Sequence, residues 1–115
     1  MKSTIIEYAL KFEPVKGAMM ALIGDGEKMT FVRIYIQPGA VFPDHSHPKE
    51  QIGTCVEGKG ILTSGGEDLK VEPGVTWSIP GGEVHKFEAV GDQPVVIYEV
   101  WSPPREDYRS MAKTV

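Results

Sequence analysis

The three histidines are the residues of this chain best suited to chemistry, and they stand in two short segments. One residue separates His45 from His47, and His85 follows a Pro-Gly-Gly turn at 80–82. If the first pair lies on a strand, alternate side chains share a face and both imidazoles converge on one point. Because imidazole nitrogens suit borderline divalent metals, this pattern predicts a metal site. The alternative is a set of ordinary polar positions on a barrel.

Gln51 is the predicted fourth ligand. It follows His47 by four residues with the same strand parity, just beyond a predicted bend at Pro48-Lys49. Three imidazoles and one amide oxygen leave the charge of a divalent ion uncompensated, so the ion acts as a stronger Lewis acid towards an anionic ligand. The missing carboxylate also weakens metal affinity, which makes a metal-free relic of such a site the alternative.

Glycine and proline divide the chain into pieces of strand length. The 13 glycines and nine prolines leave segments of about five to eight residues, a length typical of strands. Runs rich in β-branched and aromatic residues occupy 31–36, 51–56, 61–64, 69–71, 75–79, 84–90 and 95–101. Gly65-Gly66 predicts a hairpin between two of them. Many short strands with regular turns predict an all-β sandwich or barrel.

The two ends of the chain carry less regular patterns. Ile5–Phe12 alternates weakly and is interpreted as an edge strand, and 24–27 as a turn before a strand that starts at Met29. The tail 105–113 is predicted to form one or two helical turns.

The last predicted strand places Glu99 and Trp101 on one face with Val95 and Ile97. A carboxylate on such a face lies either at a rim or in a polar cavity. Two prolines follow, and they hold the chain extended, so that Arg105 has a fixed position after the strand.

The glycine spacing around the histidines resembles the two motifs of the cupin family. The first motif, Gly-x5-His-x-His-x3-Glu-x6-Gly, is matched by Gly39, His45, His47, Gln51 and Gly58, with glutamine in place of glutamate. The second, Gly-x5-Pro-x-Gly-x2-His-x3-Asn, is matched by Gly74, Pro80, Gly82 and His85, with Ala89 in place of asparagine. The resemblance implies a single cupin domain over 1–115, with motifs at 39–58 and 74–89. This fold is a double-stranded β-helix or jelly-roll barrel, here with a short C-terminal helical tail.

The C-terminal strand and tail resemble one cupin group, the KdgF-like proteins of pectin and alginate breakdown. That group carries Asp-x-Phe and then Pro-x-Arg-Glu-Asp, and this chain has Glu99-Val100-Trp101 and then Pro103-Pro104-Arg105-Glu106-Asp107. The group also uses three histidines and a glutamine as ligands. Glutamate for aspartate lengthens the acid–base arm by one methylene, and tryptophan for phenylalanine changes the pocket shape.

The resemblance implies conversion of 4,5-unsaturated uronates into linear ketonised sugars, with one divalent ion of zinc, nickel, iron or manganese. Glu99 would then move a proton, Arg105 would pair with the uronate carboxylate, and Trp101 would contact the substrate. From the residues alone, Glu99 as a solvated rim carboxylate and Arg105 as a surface partner of Glu106 or Asp107 remain open. A metal-dependent dioxygenase and a non-catalytic sugar-binding cupin are the alternative functions.

Composition limits the partners and the compartment. With a net charge of −4 and no basic run, the chain is not expected to bind nucleic acid or anionic lipid. No stretch approaches the ~20 apolar residues of a membrane span. A single cysteine, Cys55, excludes an internal disulfide and favours the cytoplasm. Exposed edge strands and the habit of the family predict a homodimer.

Several residues are interpreted as structural. Cys55 is expected to be a small buried side chain, and Trp77 and Phe87 are expected in the core. Arg33 and Tyr35 share one strand face, which lies either at the cavity mouth or at a subunit contact.

Overall fold

Ten antiparallel strands in two sheets form the body of the computed structural model, which describes residues 1–111. The strands are β1 (Leu10–Val15), β2 (Ala18–Asp25), β3 (Thr30–Ile36), β4 (Val41–His45), β5 (Glu50–Glu57), β6 (Lys59–Ser64), β7 (Glu67–Val71), β8 (Thr76–Ile79), β9 (His85–Val90) and β10 (Val95–Ser102). A 3₁₀ turn, Ile6–Tyr8, precedes them, and a short helix, α1 (Glu106–Met111), follows.

The strand order brings distant segments of the chain together. The larger sheet has the order β1-β2-β3-β10-β5-β8, and the smaller sheet has the order β4-β9-β6-β7. The last strand, β10, therefore lies at the centre of the larger sheet, between β3 and β5. In the smaller sheet, β9 lies between β4 and β6. Functional side chains on β5 and β10 can thus meet those on β4 and β9.

Alternation along the strands decides which side chains enter the space between the sheets. On β3, Val32, Ile34 and Ile36 are buried, whereas Phe31 and Tyr35 lie on the outer face. This is the period of two that a half-buried strand requires. The buried apolar residues of both sheets form one core, to which Met20, Cys55, Phe87 and Ile97 also belong.

The predicted all-β architecture with a short C-terminal helix is confirmed. The hairpin at Gly65-Gly66 joins β6 to β7, and both glycines have positive φ, at 58° and 81°. Within the predicted tail, α1 covers Glu106–Met111, while Ala112 and Lys113 lie outside the described residues. No helix of the described part is long and apolar enough to cross a bilayer.

The N-terminal interpretation was partly wrong. Ile5–Phe12 divides into the 3₁₀ turn and the start of β1, and the strand β2 was not predicted. β2 has weak alternation but pairs with strands on both sides, β1 and β3. Pairing with two neighbours outweighs its modest intrinsic preference for strand.

Candidate functional site

The three histidines form one cluster between the sheets. His45 and His85 are cross-strand partners on β4 and β9, and their ring centroids lie 4.2 Å apart. The ring of His47 lies 5.2 Å from that of His85. Their candidate ligand atoms all lie within 4.8 Å of one another. The predicted convergence of these residues is therefore present in the structure.

The reason given for the convergence of His45 and His47 was wrong. The strand β4 ends at His45, and His47 lies in the loop before β5. Strand alternation therefore does not orient His47. Instead, the backbone N–H of Gly82 donates to the carbonyl of His47 over 2.8 Å, which ties this loop to the turn before β9.

Each imidazole is oriented by a backbone carbonyl two residues away. The Nδ1 atoms of His45, His47 and His85 lie 2.7, 2.8 and 2.9 Å from the carbonyl oxygens of Pro43, Lys49 and Glu83. Because a carbonyl only accepts, each Nδ1 carries the proton and each Nε2 presents a lone pair. Metal-binding histidines are commonly oriented in this way.

Two of the Nε2 atoms have surroundings that favour a cation. The Nε2 of His85 is buried and has no hydrogen-bond partner among the described residues. The Nε2 of His47 lies 2.7 Å from Oε1 of Gln51. With the proton of His47 on Nδ1, these two atoms are both acceptors, and a shared cation would make their contact favourable. The donor set therefore fits a divalent ion.

Burial favours the neutral form of His47 and His85, the form that a metal ligand needs. It lowers the pKa of His47, and the positive charge of Arg105 lowers it further. Burial also lowers the pKa of His85, against the opposing effect of its hydrogen bond to the Glu83 carbonyl.

Gln51 lies on β5, beside the histidines and in hydrogen-bond contact with two other predicted site residues. Its side chain is buried, with 5% of its surface exposed. Its amide nitrogen donates to Oε2 of Glu99 over 2.5 Å, and its oxygen accepts from the indole N–H of Trp101 over 3.0 Å.

Glu99 is a buried carboxyl rather than a solvated rim group, with 8% of its surface exposed. Burial raises its pKa to about 7, although a hydrogen bond from Trp77 and the charge of Arg105 act in the opposite direction. A carboxyl with this pKa can both give and take a proton at neutral pH.

Trp77 belongs to the core as predicted, but its contact with Glu99 was missed. The two residues lie on strands that flank β5, where Gly53 pairs with both of them. A Cβ at Gly53 would lie 2.6 Å from Nε1 of the indole. The glycine thus makes room for the ring to cross β5, and an isolated glycine inside a strand was the signal available in the sequence.

Arg105 follows β10 and is buried, with 8% of its surface exposed. Its guanidinium carbon lies 5.2 Å from the centroid of the Trp101 ring. Its Nε and Nη2 donate to the two carboxylate oxygens of Asp107 over 3.0 and 2.8 Å. The predicted alternative of a pair with Asp107 is therefore present, while the arginine also lines the cavity with the histidines.

One cavity of about 40 Å³ unites these groups. Its polar lining comprises His45, His47, Gln51, His85, Glu99 and Arg105. The apolar lining includes Phe42, Leu62, Trp77, Phe87, Ile97 and Trp101. The space holds about three water molecules.

Other residues singled out in the sequence lie away from this cavity. Arg33 and Tyr35 lie on the outer face of the larger sheet, with Tyr35 36% exposed, and so not at the cavity mouth. Cys55 is buried, as expected, and burial raises the pKa of its thiol.

A family model for the cupin domain matches residues 32–101, more than half of the chain. The chain belongs to the cupin family. An uncharacterized protein of Methanocaldococcus jannaschii is 31% identical to this cupin over 80 residues, which make up 69% of this chain and 64% of that protein. The match therefore spans less than two thirds of the relative.

Solved cupin structures resemble this cupin over nearly its whole length. KdgF from Halomonas sp. has a TM-score of 0.82 at 24% identity, covering 94% of this chain and 97% of that one. An RmlC-like cupin from Shewanella frigidimarina has a TM-score of 0.85 at 20% identity, covering 94% and 96%. A predicted oxalate decarboxylase from Thermotoga maritima has a TM-score of 0.76 at 20% identity, covering 90% and 99%. At such identities the likeness establishes the fold. The predicted resemblance to KdgF is confirmed at that level.

Proposed function

We propose that this cupin is a metal-dependent enzyme that opens 4,5-unsaturated uronates and converts them to linear ketonised sugars, as in pectin or alginate breakdown. One observation carries the proposal: a single cavity holds the three-histidine cluster, a buried carboxyl and a buried guanidinium. The C-terminal residues that resemble the KdgF-like group supply two of these groups, Glu99 and Arg105.

In this proposal, His45, His47, His85 and Gln51 hold one divalent ion of zinc, nickel, iron or manganese. When bound, the ion supplies a Lewis acid that polarises an oxygen of the substrate. The neutral ligand set leaves the charge of the ion available to an anionic sugar.

Glu99 moves the proton. Opening of the ring hemiacetal of a 4,5-unsaturated uronate yields an aldehyde at C1 and an enol at C5. Conversion of this enol to the ketone needs a proton at C4 and loss of the enol O–H proton. A carboxyl with a pKa of about 7 can deliver the first proton and be recharged by the second.

Arg105 and Trp101 bind the substrate. The planar fork of Arg105 suits the uronate carboxylate, which would replace Asp107 as its bidentate partner. The ring of Trp101 already packs under the guanidinium and forms a wall of the cavity. Replacement of one carboxylate partner by another leaves the arginine paired in both states.

The test is turnover of a lyase-made unsaturated monouronate in D₂O, followed by NMR. Metal-loaded protein is expected to remove the vinyl proton signal and to place deuterium at C4. Glu99→Gln should lower kcat by about 100-fold or more, as expected for loss of a general acid–base. Glu88→Gln, at an exposed position on β9, removes the same single negative charge from the protein and should keep the wild-type kcat. Turnover by metal-loaded wild type no faster than in buffer contradicts the proposal.

The size of the cavity favours one alternative, a metal-dependent dioxygenase of a small organic substrate. About 40 Å³ with largely apolar walls suits a smaller molecule than a sugar. Oxygen uptake by the iron-loaded protein in the presence of small carboxylic and phenolic substrates would favour this function. Uronate turnover without oxygen uptake would favour the first proposal.

We also propose that the protein is a homodimer. The outer face of the larger sheet carries the exposed apolar residues Phe31 and Tyr35 on β3 and Ile52 on β5, the two strands that flank β10. The strand β1 also forms an edge of this sheet. Exposed apolar faces and unpaired edges are common sites of self-association.

A further inference from the structure

We propose that Glu99 and Trp101 are positioning residues that hold the amide of Gln51 with its oxygen towards the three histidines. This role rests on the metal centre of the proposed function, but it operates without substrate. It also gives a physical reason for an amide, instead of a carboxylate, at position 51.

The hydrogen bonds around Gln51 have a fixed direction because an indole N–H only donates. Trp101 donates to Oε1 of Gln51 over 3.0 Å. On the other side, Nε2 of Gln51 donates to Oε2 of Glu99 over 2.5 Å, and Glu99 also accepts from Trp77. The donors therefore run from Trp101 through Gln51 to Glu99, and Trp77 donates to the same carboxyl from the other side.

A half-turn of the amide would lose the hydrogen bond from Trp101 in every case, and the hydrogen bond to Glu99 whenever Glu99 is ionised. The N–H group of Gln51 would then face the N–H of Trp101, and its oxygen would face the carboxylate of Glu99. Gln51, Glu99 and Trp101 are 5%, 8% and 3% exposed, so water offers little compensation. The oxygen of Gln51 is thus held 2.7 Å from Nε2 of His47, where it can act as a ligand.

The same contact predicts that the side chains at positions 51 and 99 depend on each other. A glutamate at position 51 would place its carboxylate against that of Glu99 in a buried space, where like charges repel strongly. Exchange of the two residues, Gln51→Glu with Glu99→Gln, avoids the conflict. The amide at 99 can then accept from Trp77 and donate to a carboxylate ligand at 51.

The experiment measures Co²⁺ binding to substrate-free protein by calorimetry and by visible absorption. Glu99→Gln should weaken binding by about 10- to 100-fold, the usual effect of losing an outer hydrogen-bond partner of a ligand. An amide at 99 has only one oxygen for two donors, so it cannot accept from both Trp77 and Gln51. With that oxygen on Trp77, its N–H group would face the N–H group of Gln51, which would then turn its own N–H group towards the histidines. The exchanged double variant should bind at least as tightly as wild type. Glu88→Gln, exposed on β9, controls for the loss of one negative charge and should bind as wild type.

Trp101→Phe tests the other end of the chain and keeps an aromatic wall. It should shift the Co²⁺ absorption bands, because the oxygen of Gln51 loses its indole donor. An unchanged spectrum for Trp101→Phe, or wild-type affinity in Glu99→Gln, overturns the positioning role. Equal weakening in Glu99→Gln and in the double variant also overturns it, since only a general structural role predicts that result. If wild type itself binds no Co²⁺, the metal centre of the proposed function is wrong, and the positioning role falls with it.

Discussion

At the scale of single residues, Glu99 is an ionisable carboxyl held in a buried position. Its carboxyl is 8% exposed, and burial raises its pKa from 4.5 to about 7. The protonated form is therefore favoured by the folded state. Its contribution to stability is complete below the unfolded pKa and is lost as the pH rises from about 4.5 to about 7.

This linkage predicts a pH-dependent gap between wild type and Glu99→Gln in the metal-free protein. Glutamine cannot ionise, so only wild type loses stability as the pH rises. The free energy of unfolding of Glu99→Gln, relative to that of wild type, should therefore increase by about 3 kcal/mol between pH 5 and pH 8. Urea unfolding of chelator-treated protein at the two pH values measures the gap. His47 and His85 are present in both proteins, so their titration cancels in the difference. A gap that stays constant with pH would show that Glu99 ionises normally.

At the scale of elements, the surroundings of Glu99 depend on three neighbouring strands, β10, β5 and β8. Glu99, Gly53 and Trp77 are in register across them, and the indole lies over the glycine. The strand β10 contributes the carboxyl of Glu99, β5 contributes the space above Gly53, and β8 contributes the indole donor of Trp77.

Gly53→Ala should therefore alter the surroundings of Glu99 indirectly, through the indole of Trp77. A Cβ placed 2.6 Å from the indole forces the ring of Trp77 to move. We expect a loss of about 1–3 kcal/mol in the free energy of unfolding, typical of overpacking. We also expect a drop in kcat larger than the rise in KM. Ser78→Ala, exposed on β8 beside Trp77, is the control and should change neither quantity. Wild-type kcat in Gly53→Ala would show that the position of the indole does not matter for turnover.

The positions of the ligands could be predicted from the sequence because the motif glycines have a backbone reason. Gly39, Gly58, Gly74 and Gly82 have φ values of 82°, 81°, 94° and 84°, which other residues rarely adopt. Their spacing therefore indicates where the strands end and turn. Because the histidines lie at fixed distances in sequence from these turns, the spacing also indicates where the histidines lie.

The contacts that position the predicted ligands and Glu99 could not be predicted in the same way. That Trp77 reaches Glu99 depends on β8 and β10 both flanking β5, a strand order that periodicity does not reveal. His47 was placed on a strand because alternation is the simplest explanation of a His-x-His pair, although a loop held by Gly82 positions it. The strand β2 was missed because its pairing, rather than its own composition, makes it a strand.

At the scale of the whole molecule, the outer face of the larger sheet is the surface predicted to join two copies. Ile52 is 54% exposed there, so Ile52→Lys should leave the folded chain intact and weaken the dimer. Light scattering at several concentrations should give twice the chain mass of 12.6 kDa for wild type and a lower mass for the variant. Ile61→Lys, the same change at an exposed position on β6 of the other sheet, should leave the wild-type mass unchanged. A wild-type mass of one chain at every concentration would contradict the homodimer.

The most direct test of the central claim is metal removal and restoration in a single turnover assay. Wild-type protein is stripped with a chelator, divided, and reloaded with zinc, nickel, iron or manganese. Each sample then receives a 4,5-unsaturated monouronate, and the loss of its C=C absorbance is followed against buffer. We expect no acceleration by stripped protein and restored turnover with one bound ion per chain. Equal rates for stripped and reloaded protein, or no rate above buffer with one ion bound, would contradict a metal-dependent uronate enzyme.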